Sequence, residues 1–338
     1  MRERLTIQPD TFADQRVLIT GAAGFIGSHL ARLCVDAGAD VIGVGRSGVT
    51  DAIEPSIDWR QVDLADPAAT QALIDETRPS MIFDLAGHAS ASRSPEAILP
   101  TLASNLVSTV NLLHSAQRLG ASGTPRIVLA GSLEESTAGD IPNSPYAASK
   151  TAQTLYARMF HHLYQTPITI ARTFMVYGPA QADTRKLVPF VINALLNNES
   201  PPLASGTREV DWVYVEDVAR GYLACALSRD AIGQTIDIAS GSAVSIRAVV
   251  EMIVELMQTS VQPRFGAIPD RPLEQVCVGD IERSFALTGW RPQHSLQDGL
   301  QKTIAWYRAQ HLSAEQRAMT WNVDRPASDV STSQLDSA

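Results

Sequence analysis

Apolar positions along the first half of the chain alternate between two periods. Residues 17–20 form a short, β-branched apolar run that reads as a buried parallel strand. From Phe25 the apolar residues recur at helical spacing. Further strands are predicted at 40–44, 61–64, 81–85, 126–130 and 168–172, separated by helices at 67–76, 101–119 and 146–164. This rhythm predicts an α/β fold: a doubly wound parallel sheet whose strand C-termini share one edge. Beyond Gly178 the rhythm loosens. Helices are expected at 186–197, 218–227 and 245–258, a strand at 210–215, and two short helical stretches within 279–307. Residues 234–238 read as one more strand returning to the main sheet.

The turn after the first strand sharpens this picture. Gly21, Gly24 and Gly27 follow it at three-residue spacing, and Phe25 and Ile26 open the helix. Gly21 permits a tight turn, Gly24 lets a pyrophosphate approach the backbone, and Gly27 lets helix and strand pack closely. The helix start offers free N–H groups to phosphate. Residues 14–178, with the returning strand near 234–240, are therefore read as a dinucleotide-binding domain of Rossmann type. Residues 179–233 and 241–310 are read as a smaller, partly interleaved substrate domain, and 313–338 as a loose polar tail. The second strand runs into Gly45-Arg46-Ser47, with no carboxylate where an NAD-preferring site places one. A guanidinium and a hydroxyl there suit a 2′-phosphate, so NADP(H) is expected to be preferred, with NAD(H) as the second candidate.

Composition narrows the function classes. The 338 residues are 45% hydrophobic and 19% charged, with net charge −9. That balance argues against a general nucleic-acid surface but leaves room for a small anionic ligand. Cys34, Cys225 and Cys277 are far apart and in apolar settings, which reads as reduced core cysteines without metal-ligand spacing. No signal region and no apolar run of membrane-spanning length is read, so a cytoplasmic protein without metal is expected.

Two groups carry candidate chemistry. Tyr146 and Lys150 are four residues apart on a predicted helix, on one face, with Pro145 marking its start. An ammonium beside a phenol is expected to lower its pKa and suit it to acid–base work on an alcohol or carbonyl. Ser132 lies just past the strand at 126–130, on the ligand edge, where its hydroxyl can meet a substrate oxygen. Glu134 and Glu135 follow; a carboxylate there is either a proton abstractor or a solvated acid, and Glu134 is the candidate for a catalytic role.

Together, Thr20-Gly-Ala-Ala-Gly-Phe-Ile-Gly27, Asp84-Leu-Ala-Gly87, Ser132 and Tyr146-Ala-Ala-Ser-Lys150 resemble the extended short-chain dehydrogenase/reductase family. Within it the chain resembles the nucleotide-sugar epimerase/dehydratase group, through Arg172-Thr-Phe-Met-Val-Tyr-Gly-Pro179, Asp211-Trp-Val-Tyr-Val-Glu-Asp-Val218 and Gly289-Trp-Arg-Pro292. The resemblance implies Tyr146 as acid/base, Ser132 orienting a sugar oxygen, and Lys150 binding the nicotinamide ribose. It implies adenine contacts from Asp63, with Leu64 beside it, and cofactor contacts from Ala86 and Gly87. Asn105 matches a helix asparagine behind the active site, and Arg271 an arginine that contacts the diphosphate of a nucleotide-sugar. His88 lies in a loop beside the nicotinamide, where a substrate contact and a structural role are both open. Met175 stands where the group has Asn, and Val210 where it has Arg, with Arg208 as the nearest substitute. Leu133-Glu134 stands where 4,6-dehydratases carry Asp-Glu. The implied function is an NAD(P)-dependent nucleotide-sugar epimerase or 4-keto-reductase. A dehydratase and a non-catalytic dinucleotide-binding regulator are the alternatives. A homodimer is expected through the helices at 101–119 and 146–164, with Leu106, Val110, Leu113, Leu155 and Met159 as contacts.

Overall fold

The computed structural model describes residues 6–48, 54–89, 92–120, 123–136, 139–270 and 276–323. In chain order the first strands are β1 (Arg16–Thr20), β2 (Asp40–Gly45), β3 (Asp58–Gln61), β4 (Met81–Asp84) and β5 (Arg126–Ser132). They are followed by β6 (Ile168–Thr173), β7 (Met175–Tyr177), β8 (Glu209–Tyr214), β9 (Thr235–Ile238) and β10 (Ala243–Ser245). The first helices are α1 (Phe25–Asp36), α2 (Pro67–Thr77), α3 (Ile98–Thr101), α4 (Ser108–Gln117) and α5 (Pro145–Tyr164). After them come α6 (Leu187–Leu196), α7 (Val215–Leu227), α8 (Ile246–Met257), α9 (Ile281–Thr288) and α10 (Leu296–Val323).

The main sheet has seven parallel strands in the order β3-β2-β1-β4-β5-β6-β9. Its order reverses at β1, where β2 pairs on one side and β4 on the other. Crossing the sheet there opens the crevice in which such folds bind ligands. Period-two alternation along β1 explains why both faces are covered. Val17 and Ile19 pack with Leu30 and Cys34 of α1 and with Val218 and Tyr222 of α7. Leu18 points the other way, onto Leu73 and Ile74 of α2, Leu112 of α4 and Phe160 of α5. A continuous apolar strand is what burial on both faces requires.

Only Phe174 separates β6 from β7, so the chain steps there from the main sheet into a second one, ordered β10-β8-β7. β7 and β8 run parallel and β10 antiparallel to β8. Tyr177, Trp212 and Tyr214 of this small sheet pack with Val191 of α6, Ile253 of α8 and Ile304 of α10.

Three features differ from the sequence reading. The third strand lies at Asp58–Gln61 rather than 61–64, because Trp59 pairs with Gly43 and covers Gly43 and Gly45. Added Cβ atoms there would come within 2.9 and 2.7 Å of its ring. The expected helix at 101–119 is instead α3, a π turn at Leu102–Val107, and α4. Finally, α10 continues to Val323, into the stretch read as a loose tail. Residues 313–323 carry Ala, Glu, Gln, Arg and Met, which favour helix, and contain no Gly or Pro. Cys34 and Cys225 are buried, but Cys277 is exposed, in a loop beside exposed Val276 and Val278.

Candidate active site

The glycine turn is built as a cradle. Gly21 has φ 67°, a conformation glycine adopts without strain, and its N–H donates to Val44 O at 2.8 Å. A Cβ on Gly27 would lie 2.1 Å from Gly21 O, so α1 sits directly against the turn. Gly24 caps α1 without a side-chain hydrogen bond, which leaves the first-turn N–H groups for an anion.

A buried polar chain fixes the neighbouring strand exits. The Thr20 hydroxyl donates to Asp84 Oδ1 at 2.7 Å and accepts the amides of Leu85 and Ala86 at 3.0 and 2.9 Å. Thr109 donates to Asp84 Oδ2 at 2.6 Å and accepts from Gln153 Nε2. The Gln153 Oε1 accepts the Lys150 ammonium at 2.9 Å, and Ala130 O accepts it at 2.8 Å. Burial raises the Asp84 carboxyl above its ordinary range, opposed by the Thr109 and Thr20 hydrogen bonds and by Lys150. Burial lowers the Lys150 ammonium, opposed by Asp84 and Glu135.

Asn105, carried on the π turn, reaches in two directions. Its Oδ1 accepts the His88 N–H at 2.6 Å, and its Nδ2 donates to Ser149 Oγ at 2.8 Å. It thereby ties the exposed 87–88 loop to α5, and a Cβ on Gly87 would approach its Oδ1 to 3.0 Å. A π turn is a common means of aiming one such residue.

Ser132 ends β5 and is buried; its hydroxyl accepts Glu134 N–H at 3.1 Å, and its side chain stands near enough to the Tyr146 phenol to act on its pKa. Ser144 accepts from Ala147 N–H at 3.0 Å and Pro145 follows, so capping fixes the start of α5 beneath Tyr146. The pKa of Tyr146 corrects the sequence reading. Burial pushes it up to about 12, opposed by the neighbouring Ser132 side chain and helped by the charges of Glu134 and Glu135. The lowering expected from Lys150 is absent, because that ammonium is held by Ala130 O and Gln153.

Glu134 is exposed, and its N–H donates to Ser132 Oγ at 3.1 Å. Glu135 is the acid that folds under the strand: Oε1 accepts Ser132 N–H at 2.7 Å and Oε2 accepts the Thr154 hydroxyl at 2.9 Å. Sequence reasoning missed this role; the available signal was Gly131, a glycine inside a strand just ahead of a functional position.

Other expected residues are dispersed around the edge. Arg46 and Ser47 are exposed beyond β2, and their carbonyls accept Gln61 Nε2 at 2.9 Å and Trp59 Nε1 at 3.2 Å. Asp63 is exposed in a turn closed by Ala65 N–H at 3.0 Å, whereas the Leu64 side chain lies in the core with Ile42 and Val44. Met175 and Arg208 are half-buried, on β7 and just before β8. Arg271 lies outside the described residues.

A glycine cradle and a Ser–Tyr pair at one sheet edge define a site that can move a proton at a substrate oxygen beside a bound dinucleotide. The chain belongs to the NAD dependent epimerase/dehydratase family, whose model matches residues 17–239. It is 27% identical to a UDP-glucuronate 4-epimerase of Thermodesulfobacterium geofontis, across 86% of this chain and 95% of that protein. It is 28% identical to a dTDP-glucose 4,6-dehydratase of an Actinoplanes species, across 87% and 98%. The fold is that of the Bordetella bronchiseptica enzyme WbmF, solved with NAD+ and UDP. TM-score is 0.78 and identity 26%, covering 94% of this chain and 98% of that one. No helix among the described residues is long and apolar enough to cross a membrane.

Proposed function

We propose that the protein is a nucleotide-sugar 4-epimerase that uses a nicotinamide dinucleotide. The observation that carries this reading is the placement of Ser132 beside Tyr146 at the same sheet edge as the glycine turn. The residues present fit the dinucleotide: Cβ atoms on Gly21, Gly24 and Gly27 would meet backbone at 3.1, 3.0 and 2.1 Å, so the bare glycines let the turn close against the start of α1, which offers uncapped N–H groups. When bound, the dinucleotide supplies reversible hydride transfer. Tyr146 takes the proton of the sugar 4-hydroxyl and returns it, while Ser132 orients that oxygen. Lys150 contacts the nicotinamide ribose, Asp63 the adenine end, and Ala86 and Gly87 the cofactor between. Arg208 and Arg271 serve the diphosphate, and Met175 and His88 the sugar side. The nucleotide-sugar class is supported by the UDP-glucuronate and dTDP-glucose enzymes to which the chain is similar. Leu133, packed against the core where dehydratases carry an acid, disfavours 4,6-dehydration.

A 4-keto-reductase is the second reading, favoured by the carboxylate-free end of β2 with exposed Arg46, which supports preference for NADP(H). Cytoplasmic residence and a homodimer complete the proposal. Incubation with UDP-glucose, UDP-glucuronate, UDP-N-acetylglucosamine and a nucleotide-linked 4-keto-sugar, with each cofactor, tests it. Epimerisation gives inverted C4 products by proton NMR without net consumption of cofactor. Net oxidation of NADPH with a 4-keto-sugar identifies the reductase, and neither activity across the panel overturns both.

A further inference from the structure

β5 ends on Gly131 and Ser132, and the Glu135 carboxylate fills the space against them. A Cβ on Gly131 would lie 2.7 Å from Glu135 Oε1 and 2.9 Å from Ile170 Cγ2, so the bare glycine is what admits the carboxylate. Both oxygens are engaged: Oε1 by Ser132 N–H at 2.7 Å, Oε2 by the Thr154 hydroxyl at 2.9 Å. Thr154 stands about two turns along α5 from Tyr146, with Lys150 between them, so all three share one helix face. The bridge therefore joins the strand end that carries Ser132 to the helix face that carries Tyr146. Burial raises the Glu135 carboxyl above its ordinary range, whereas the Ser132 N–H and Thr154 hydrogen bonds and the charges of Lys150 of α5 and Arg172 of β6 favour its carboxylate. Glu135 and Glu134 of the same loop in turn act on Tyr146. Arg172 is itself paired with Asp237 of β9 at 2.7 Å.

We propose that Glu135 is a positioning residue: it holds the Ser132 and Tyr146 hydroxyls in register by clamping the end of β5 to α5, and sets a fixed negative charge behind them. This rests on the epimerase reading for its catalytic consequence, but not for its electrostatic one. Glu135 acts through Ser132 and Tyr146 and needs no contact with substrate.

The test uses the protein with its dinucleotide and the variants Glu135→Gln, Glu135→Ala and Thr154→Val. Glutamine keeps an acceptor for Ser132 N–H and a polar partner for Thr154 but removes the charge. It is expected to hold kcat within about 3-fold, while the Tyr146 phenolate midpoint falls by about 0.5 unit or more. That midpoint is read by ultraviolet titration as the difference from the same protein carrying Tyr146→Phe. Glu135→Ala is expected to lower kcat by about 10- to 100-fold, with KM and dinucleotide affinity within about 3-fold. Thr154→Val, which cuts one arm, falls between wild type and Glu135→Ala. Wild-type kcat in a folded Glu135→Ala protein overturns the proposal. So does a glutamine variant that loses as much kcat as alanine with an unmoved phenolate midpoint. Should Glu135→Ala fail to fold, the glutamine and Thr154→Val variants decide. Should the wild type turn over no nucleotide-sugar, the epimerase reading fails, and the phenolate titration still supports or overturns the role of Glu135.

Discussion

At the scale of single residues, Tyr146 carries the clearest consequence. Burial raises its pKa to about 12, which favours the phenol that returns a proton to the 4-oxygen. The phenolate that takes one must be stabilised by charge brought in with the dinucleotide. Tyr146→Phe removes only the phenolic oxygen, so folding and dinucleotide binding are expected to survive while turnover drops by about 100-fold or more. Steady-state kinetics beside a cofactor titration check this, and near-wild-type turnover would refute the acid/base role. The same shift has a stability sign. Folded Tyr146 holds its proton more tightly than the unfolded chain, whose tyrosines titrate near 10. Its contribution is therefore complete below about pH 10 and is lost as the pH rises toward 12. Tyr222 is shifted upward too, by burial. Urea midpoints are expected to be flat from pH 8 to 9.5 and to fall above pH 10; an unchanged midpoint at pH 11 counts against buried, shifted tyrosines. Arg46 gives the cofactor prediction: wild type binds NADP more tightly than NAD, and Arg46→Ala loses NADP affinity by roughly 10-fold with NAD little changed. Tighter NAD binding by the wild type, read by fluorescence titration, would sink it. Tyr146 and Ser132 were legible because local spacing and a strand end place them. The destination of Lys150 was not, since Ala130 O and Gln153 become its partners only through tertiary packing.

At the scale of elements, β1, its glycine turn and α1 were fully legible, because period and glycine spacing are local properties of the sequence. The close packing behind that spacing is measurable. Gly27→Ala would set a methyl 2.1 Å from Gly21 O, so α1 must move away from the turn. Overpacking of this kind costs about 1–3 kcal/mol, and it also displaces the N–H groups offered to phosphate. The variant is expected to show a lowered Tm by calorimetry and dinucleotide binding weakened by at least about 10-fold; unchanged affinity would mean that α1 does not hold the pyrophosphate. β3 and the π turn were not legible for opposite reasons. β3 takes its register from Trp59 lying over two glycines of β2, a contact between segments far apart in the chain. The π turn interrupts a segment whose apolar spacing reads as plain helix, and Asn105 on it bonds both the 87–88 loop and α5.

At the scale of the whole molecule, the order of helices around the sheet leaves one apolar face without a partner among the described residues. Leu99 on α3 is 72% exposed, and Leu155 and Leu163 on α5 are 59% and 58% exposed, with Tyr156 and Tyr164 beside them. Leu155 and Leu163 lie about two turns apart on one stripe of α5. The expected contact set is thereby corrected. Leu113 is fully buried in the core with Leu112 and Phe160 and is not available, while Met159 is half-buried against that core. Leu155 remains exposed, and Leu106 and Val110 are half-buried. The amphipathic period of α5 was readable, but which stripe turns inward depends on where β5 and α4 lie, and that is not local information. Two copies meeting through one such stripe form a closed, self-complementary pair, whereas a head-to-tail contact would leave it open. A homodimer is therefore expected, with α5 of each copy against the other. Light scattering of the wild type at micromolar concentration should give twice the chain mass. Leu155→Glu combined with Leu163→Glu sets charges on the stripe and should give the single mass with the far-ultraviolet circular dichroism unchanged. A wild type that scatters as a monomer, or a double variant that remains dimeric, would place the interface elsewhere or remove it.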